Sequence, residues 1–368
     1  MTSNDESEGG LSQQERDKLT AMEMEIKELK EEIERLKNVC EEKVQRESKL
    51  AEELHRLANE LKESKEKYLF CKIADKPKLV SHFTGLPDKE SFNALSKLFD
   101  KIDIEYFKGW KSKKLDKENQ LFLTLMKLRR NLTNLDLGTR FGIDETTVSN
   151  IFVSWIFALH HVLVKNLMAT IPPREKNQVH LPESFKPYPS TRIIIDATEV
   201  TTANPKLLSA QCRMYSIYKH KITSKGLVGC SPKGDVTFVS QLYAGSTSDK
   251  KLTQECGLLN QLVPGDSIMA DKGFTISDLL PDGVSLNIPP FRDDPQFTIE
   301  QVGKTRMIAA ARIIIERVIC RIKRFTILNY VPQWVAPYAS EVFQVCAALV
   351  NFQNTLMKEC EADSDLEE

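Results

Sequence analysis

Between Leu11 and Ala74 the chain holds neither proline nor glycine, and apolar residues return every seventh position in two interleaved sets. Leu19, Ile26, Ile33, Cys40, Leu54, Leu61 and Tyr68 fall on one seam position, and Met22, Leu29, Leu36, Leu50 and Leu57 on the other. Glu, Lys and Arg fill most of the remainder. A three-four apolar spacing held over roughly seven heptads predicts a coiled coil across residues 11–70. Lys43 and Glu47 interrupt the seam, which costs stability and can fix register or partner number. A lone solvated helix is the competing reading, but it leaves the apolar seam without cover. A hairpin hinged near Lys43–Glu47 would cover it within one chain.

The pattern then changes. Residues 71–116 read as a linker with one short amphipathic helix at Asp88–Lys101, because Pro77, Gly85 and Pro87 punctuate the stretch before it. From 117 to 170 the periodicity is helical throughout. Gln120–Arg130 and Asn134–Phe141 are apolar at helical steps, Gly142-Ile143-Asp144 is a turn, and Asp144 suits the cap of a third helix over Glu145–Val164. Two helices joined by a short glycine turn predict a helix-turn-helix, with a plain helical bundle as the alternative. In the first reading Thr146, Thr147, Ser149 and Asn150 lie exposed at the start of the recognition helix, and Arg129, Arg130 and Arg140 hold phosphates.

Proline-rich residues 171–190 read as a second linker. Short apolar runs follow at Ile193–Ile195, Cys212–His220 with Ser224–Cys230, Val236–Tyr243, Ser267–Ala270 and Leu286–Ile288. A helical stretch at Asp249–Leu262 and a long one at Thr298–Phe325 separate or follow them. Three meander strands, a helix, a strand and then helices is the element order of a ribonuclease H-like α/β domain, here spanning 191–357. The outermost stretches, 1–10 and the acidic 358–368, read as disordered.

Candidate chemistry sits at the ends of these runs. Arg192–Val200 reads RIIIDATEV, three isoleucines and then Asp196. A β-branched run of this kind predicts a strand buried on both faces, where an acid needs a cation, a donor or an open edge. Asp271 ends a second apolar run in DSIMADKGF, and Glu316 lies on the helix in ARIIIERVICRIKRF. Two carboxylates about 4 Å apart repel by roughly 4 kcal/mol at an effective dielectric near 20, so three together call for divalent cations. Two strand-end aspartates and a helix glutamate would suit a two-metal phosphoryl-transfer site with hard oxygen ligands. Each acid has a plainer reading. Asp196 could start a turn, Asp-Lys-Gly is ordinary turn chemistry, and Glu316 could pair with Arg312 four residues before it. Glu199 and Asp249 are further acids nearby in sequence. Basic residues flank the acids: Lys219 and Lys221 around His220, and Arg317, Arg321, Lys323 and Arg324 along the Glu316 helix, in a pattern that suits phosphates.

Charge sharpens the picture. The net charge of −1 hides a segregation: residues 1–70 carry 13 Lys+Arg against 19 Asp+Glu, the last ten residues carry six acids and no base, and the middle carries 38 bases against 27 acids. A basic body between acidic ends fits a polyanionic partner, although a lysine-rich surface gives the same sum. The short basic cluster at 111–114 is by itself too brief for a nuclear signal. No run of about 18 apolar residues predicts a membrane span, and the polar, acidic start does not read as a signal peptide. The eight cysteines form no CxxC pair and stand near no histidine at zinc-ligand spacing, so they read as free thiols of a reducing compartment.

The stretches IIIDATEV, YSIYKHKITSKGLVGCSPKGDVTFVSQLYAGSTSDKKLT, GDSIMADKGF, LNIPPF and RIIIERVICRIKRF, in this order, resemble those of DDE transposases of the PIF/Harbinger type, as found in animal mobile-element proteins. The resemblance covers about Lys117–Pro332. It implies a ribonuclease H-like nuclease with the acidic triad Asp196, Asp271 and Glu316, Mg²⁺ or Mn²⁺, terminal-repeat DNA and a nuclear location. Some relatives begin with a zinc-binding DNA module, whose cysteines this chain lacks, and some depend on a separately encoded partner protein. The reading that follows is a metal-dependent DNA endonuclease and transposase, dimeric through its coiled coil. The alternatives are a transposase-derived protein that binds DNA without cutting it, and a coiled-coil assembly adaptor.

Overall fold

The structure, a computed structural model, describes residues 13–66, 69–109, 115–291 and 298–356. The two ends read as disordered, the basic cluster at 111–114, the loop at 292–297 and Cys360 lie outside the described residues. In chain order the helices and strands are α1 (Gln13–Glu66), α2 (Pro77–Thr84), α3 (Lys89–Lys97), α4 (Lys117–Arg130), α5 (Asn134–Phe141), α6 (Glu145–Leu159), α7 (Arg174–Gln178), β1 (Thr191–Thr201), α8 (Leu208–Met214), β2 (Tyr215–Ser216), β3 (Lys221–Cys230), β4 (Val236–Val239), β5 (Tyr243–Ala244), α9 (Asp249–Glu255), β6 (Ser267–Met269), β7 (Ser285–Asn287), α10 (Ile299–Lys323) and α11 (Ala339–Leu349). They form two compact units, Met1–Glu66 and Lys67–Glu368.

The first unit is α1 alone. It runs unbroken through Lys43–Glu47, which excludes a hairpin there, and its 54 residues span about 80 Å at 1.5 Å per residue. The seam residues Leu19, Met22, Ile26, Leu29, Ile33, Leu36, Leu50, Leu54 and Leu57 are all 48–63% exposed. A row of apolar side chains this open is what a coiled-coil partner buries.

The second unit is organised around a seven-stranded sheet in the order β2-β3-β1-β6-β7, with β4 and β5 also paired to β3. β1 lies near its centre because Ile193, Ile194 and Ile195 are fully buried and side chains alternate between the faces. Ile194 joins a core with Val228, Met269, Ile315 and Val318, so α10 covers that face. Ile193 and Ile195 face Leu227, Leu252, Leu262 and Ile268, so the α9 region covers the other. β1 pairs antiparallel with β3 and parallel with β6. Its start is pinned by Arg192, whose Nη1 donates to the buried Asp266 at 2.5 Å.

Gly226 of β3, opposite Thr198, allows α11 to approach. A Cβ there would stand 2.5 Å from Phe343 Cε1 and 2.9 Å from Cζ, against a fully buried ring. Gly226→Ala is expected to destabilise the unit by about 1–3 kcal/mol, as overpacking does, read as a lower urea midpoint at unchanged m-value.

The helical segment is not a separate body. Phe122, Leu125, Phe152 and Trp155 of α4 and α6 belong to the same core cluster as Ile315 and Phe343. The stretches read as linkers are built into this unit. Pro77 begins α2 and Gly85, at φ 80°, closes it, while Val80 is fully buried. Phe185 is buried in the second of them. The segment Glu145–Leu167 is long and apolar enough to cross a membrane, but 61% of that window is buried against the rest of the unit, as in a core helix. Cys212–His220 is a helix and a two-residue strand rather than one extended strand. Among the described residues every cysteine is a free thiol.

Candidate active site

Strand register sets the level of the two aspartates. Ile194 pairs with Met269 across the parallel β1–β6 ladder. Two residues further along come Asp271, just past the carboxyl end of β6, and Asp196, which is not at a strand end as expected but in mid-strand, because β1 continues to Thr201 in its ladder with β3. Asp196 is half-buried, and its Oδ1 accepts from the Ala197 N–H at 2.8 Å. Burial is the main cause that pushes its carboxyl up to about 6; Asp271 and Asp249 push the same way, while the Ala197 N–H and Arg312 oppose.

Arg312 is the hub of the cluster. Its Nη1 donates to Asp271 Oδ1 at 2.9 Å and its Nη2 lies 4.0 Å from Glu316 Oε1. The Arg312 side chain is only 11% exposed, whereas that of Glu316 is 61% exposed. The Nε of Arg312 is buried and has no hydrogen-bond partner. Arg312 therefore links Asp271 to Glu316, while Asp196 feels Arg312, Asp271 and Asp249 through their charge, and Asp249 is tied to Lys225 at 3.3 Å. From the sequence Arg312 is the i–4 neighbour of Glu316; its longer reach to Asp271 is visible only in the fold. The available signal was a cation on an otherwise apolar stretch of helix.

Among the basic residues, Lys219, Lys221 and Lys323 line one recess of about 220 Å³ with Glu199 and Thr198. Glu199 is held by the hydroxyls of Ser216 and Thr223, at 3.0 and 2.8 Å. The ammonium of Lys323 is pushed down by burial and by Lys219, and drawn back up by Asp196 and Glu199. This lysine groove thus adjoins the acids. Arg317 is half-buried on α10. Arg321 is buried and donates to the Asn354 carbonyl, while Arg324 is exposed.

In the helical segment Gly142, at φ 65°, makes the turn between α5 and α6. Gly138 admits the Ile143 carbonyl, which would lie 2.6 Å from a Cβ. Thr146 is exposed, and Ser149 and Asn150 are half-buried. Thr147 is not exposed as expected. Its hydroxyl and its N–H both donate to Asp144, at 2.7 and 2.8 Å, so it completes the helix cap. Arg140 pairs with Asp136 at 2.9 Å. Arg130 is exposed, and Arg129 is half-buried beside the Phe325 ring.

Comparison with known families falls on these two regions. Residues 113–165 match the helix-turn-helix of DDE superfamily endonuclease, and residues 195–351 match the DDE superfamily endonuclease. The second match spans less than half of the chain and supports a DDE-superfamily endonuclease domain there. Its superfamily helix-turn-helix stands directly in front, so the pair implies DNA binding and a transposase-type nuclease. No curated protein and no solved structure matches the chain.

Endonuclease domains of this superfamily generally use divalent metal ions. The donors present are of the right kind, since hard cations take carboxylate oxygens and Asp196, Asp271 and Glu316 supply only those. Among the described residues no three such groups stand close enough together to hold one ion. Arg312 fills the space between Asp271 and Glu316. Its guanidinium does what a cation would do there, offsetting carboxylate repulsion.

Proposed function

We propose that the chain is a metal-dependent DNA endonuclease of the transposase kind, of PIF/Harbinger type, acting in the nucleus on a ribonuclease H-like scaffold. It cuts DNA at element ends and joins the freed 3′-hydroxyl to target DNA. The observation that carries this reading is that Arg312 links Asp271, past the end of β6, to Glu316 of α10, with Asp196 of β1 electrostatically coupled to the pair, within a matched endonuclease region. Asp196, Asp271 and Glu316 would hold two Mg²⁺ or Mn²⁺ ions only by closing up from their present spacing with Arg312 displaced, and the ions would supply activation of the attacking water or hydroxyl and stabilisation of the leaving oxygen. The chain's own part is positioning. The sheet sets the two aspartates level, α10 brings Glu316, and the Lys219–Lys221–Lys323 groove holds the backbone beside them. Labelled duplex DNA is expected to be nicked in Mg²⁺, spared in EDTA, and nicked again when Mn²⁺ is restored. Nicking that continues in EDTA would sink the proposal.

One observation favours a second reading. Arg312 already pairs with Asp271 and lies near Glu316, as it would in a transposase-derived protein that binds DNA without cutting. Salt-sensitive duplex binding with no metal-dependent nicking would select that reading. A separately encoded partner protein that some relatives require would restore nicking when added.

The exposed seam of α1 supports a homodimer, which would let two DNA ends be held together. Leu29→Lys with Leu36→Lys places like charges across the seam. Light scattering is expected to show the mass of two chains falling to that of one. An unchanged mass would place the dimer contact elsewhere.

A further inference from the structure

Away from the acids, a second set of positive charges gathers. Arg129 at the end of α4 and Arg321 and Arg324 at the end of α10 line one recess of about 120 Å³, with Ser81, Gln353 and Asn354. No carboxylate is among its described lining residues. Arg321 is fixed as a wall by its bond to the Asn354 carbonyl. Arg324 stands exposed at the mouth. Arg129 has its Nη1 buried without a hydrogen-bond partner, and the Phe325 ring 5.8 Å away holds its guanidinium from one side. The field here is positive: burial lowers both Arg129 and His82, and the further causes are only arginines, Arg324 and Arg130 for the first, Arg130 and Arg129 for the second.

A buried guanidinium N–H without an acceptor is costly, and converging like charges add to the cost. The carboxyl-terminal ends of α4 and α10 carry only about half a negative charge each, and neither supplies a carbonyl to the Arg129 nitrogen. Guanidinium forks match the oxygens of phosphate. We propose that this recess is a seat for one phosphate-type oxyanion, bound by Arg129 and Arg324 against the Arg321 wall. The oxyanion comes either from the backbone of bound duplex DNA or from a small phosphate ester. The seat joins the last turn of a helix in the DNA-gripping segment to the last turn of the helix that carries Glu316. Only the DNA source rests on the endonuclease reading.

The test uses the full-length chain and inorganic phosphate. Millimolar phosphate is expected to raise the thermal midpoint above that in chloride at matched ionic strength. Arg324→Gln is expected to bind phosphate about tenfold more weakly, as loss of a charge-assisted hydrogen bond gives. Lys304→Gln, the same charge change elsewhere on α10, is expected to behave as the parent. Arg129→Lys keeps the charge but loses the fork, and is expected to weaken phosphate as well. Equal stabilisation of Arg324→Gln and the parent, or none in the parent, overturns the proposal. Duplex DNA then sorts the source. A log-affinity against log-salt slope shallower by about 0.9 in Arg324→Gln assigns the seat to the DNA backbone, and an unchanged slope assigns it to a free phosphate ester. Neither measurement requires cleavage, so loss of the nuclease reading leaves this result standing.

Discussion

Asp196→Asn is expected to abolish metal-dependent DNA cleavage and at the same time to make the protein harder to unfold at pH 7. The first effect follows from the proposed ligand role. Even the outer partners of metal ligands cost about 10–100-fold when removed, so loss of a ligating oxygen should exceed a hundredfold. The second follows from the carboxyl itself. Its folded-state value, about 6, lies above the ordinary 3.8 because burial penalises the ionised form. The fold carries no such penalty below the ordinary value, gains it as the pH rises between the two, and carries it in full above the higher one. At pH 7 that penalty is worth up to about 3 kcal/mol, and the neutral amide escapes it. Asparagine keeps the oxygen that accepts from the Ala197 N–H. Urea unfolding at pH 4 and pH 7 checks the claim: parent and variant should differ at pH 7 and converge toward pH 4. A variant that cuts normally removes Asp196 from the chemistry, and one less stable than the parent at pH 7 refutes the penalty.

Asp266→Ala is expected to cost about 3–5 kcal/mol of stability, the range for breaking a buried ion pair by removing one partner. Asp266 is 1% exposed and accepts from Arg192 Nη1 at 2.5 Å and from Arg174 Nη1 at 3.3 Å. It also accepts from the Val263 N–H at 2.9 Å. Alanine strands the Arg192 charge inside the protein, although bonds to the Ile171 and Pro172 carbonyls remain. Since Arg192 opens β1, the strand bearing Asp196 loses its anchor. Arg192→Met combined with Asp266→Leu removes both charges and should recover most of the loss. Denaturant midpoints of the single and double variants decide it: a single variant within about 1 kcal/mol of the parent would mean that the carbonyls alone hold the arginine.

What was legible in the sequence was short-range. Asn134–Phe141 is the helix its spacing predicts, since Thr133 caps it and Gly142 ends it. The apolar run before Asp196 does occupy the middle of a sheet. Pro77 and Gly85 read as breakers, whereas proline at the first helical position and glycine just past the last are how a short helix is bounded. Cys212–His220 reads as a strand because it is a short run rich in aromatic and apolar residues, yet Leu208–Met214 is helical with no buried side chain. Thr147 was legible as part of the helix start but not as its cap partner. The site was less legible still. Arg312 reaches Asp271 across 41 residues, and no local periodicity records a contact made by folding β6 against α10. The same holds for the shared arginine recess, whose walls come from three distant stretches.

The fusion of the helix-turn-helix and the endonuclease domain into one core has a consequence for where DNA would be cut. A recognition module on a flexible tether lets the blade wander, and breaks scatter over several positions. Here Trp155 and Ile315 belong to the same interior, so the offset between the bases read and the bond broken is fixed like the jaw of a caliper. On the proposed reading such a protein would cut at a set count of base pairs from its recognised sequence, and lengthening the chain between residues 171 and 190 would unseat the interior before it moved the cut.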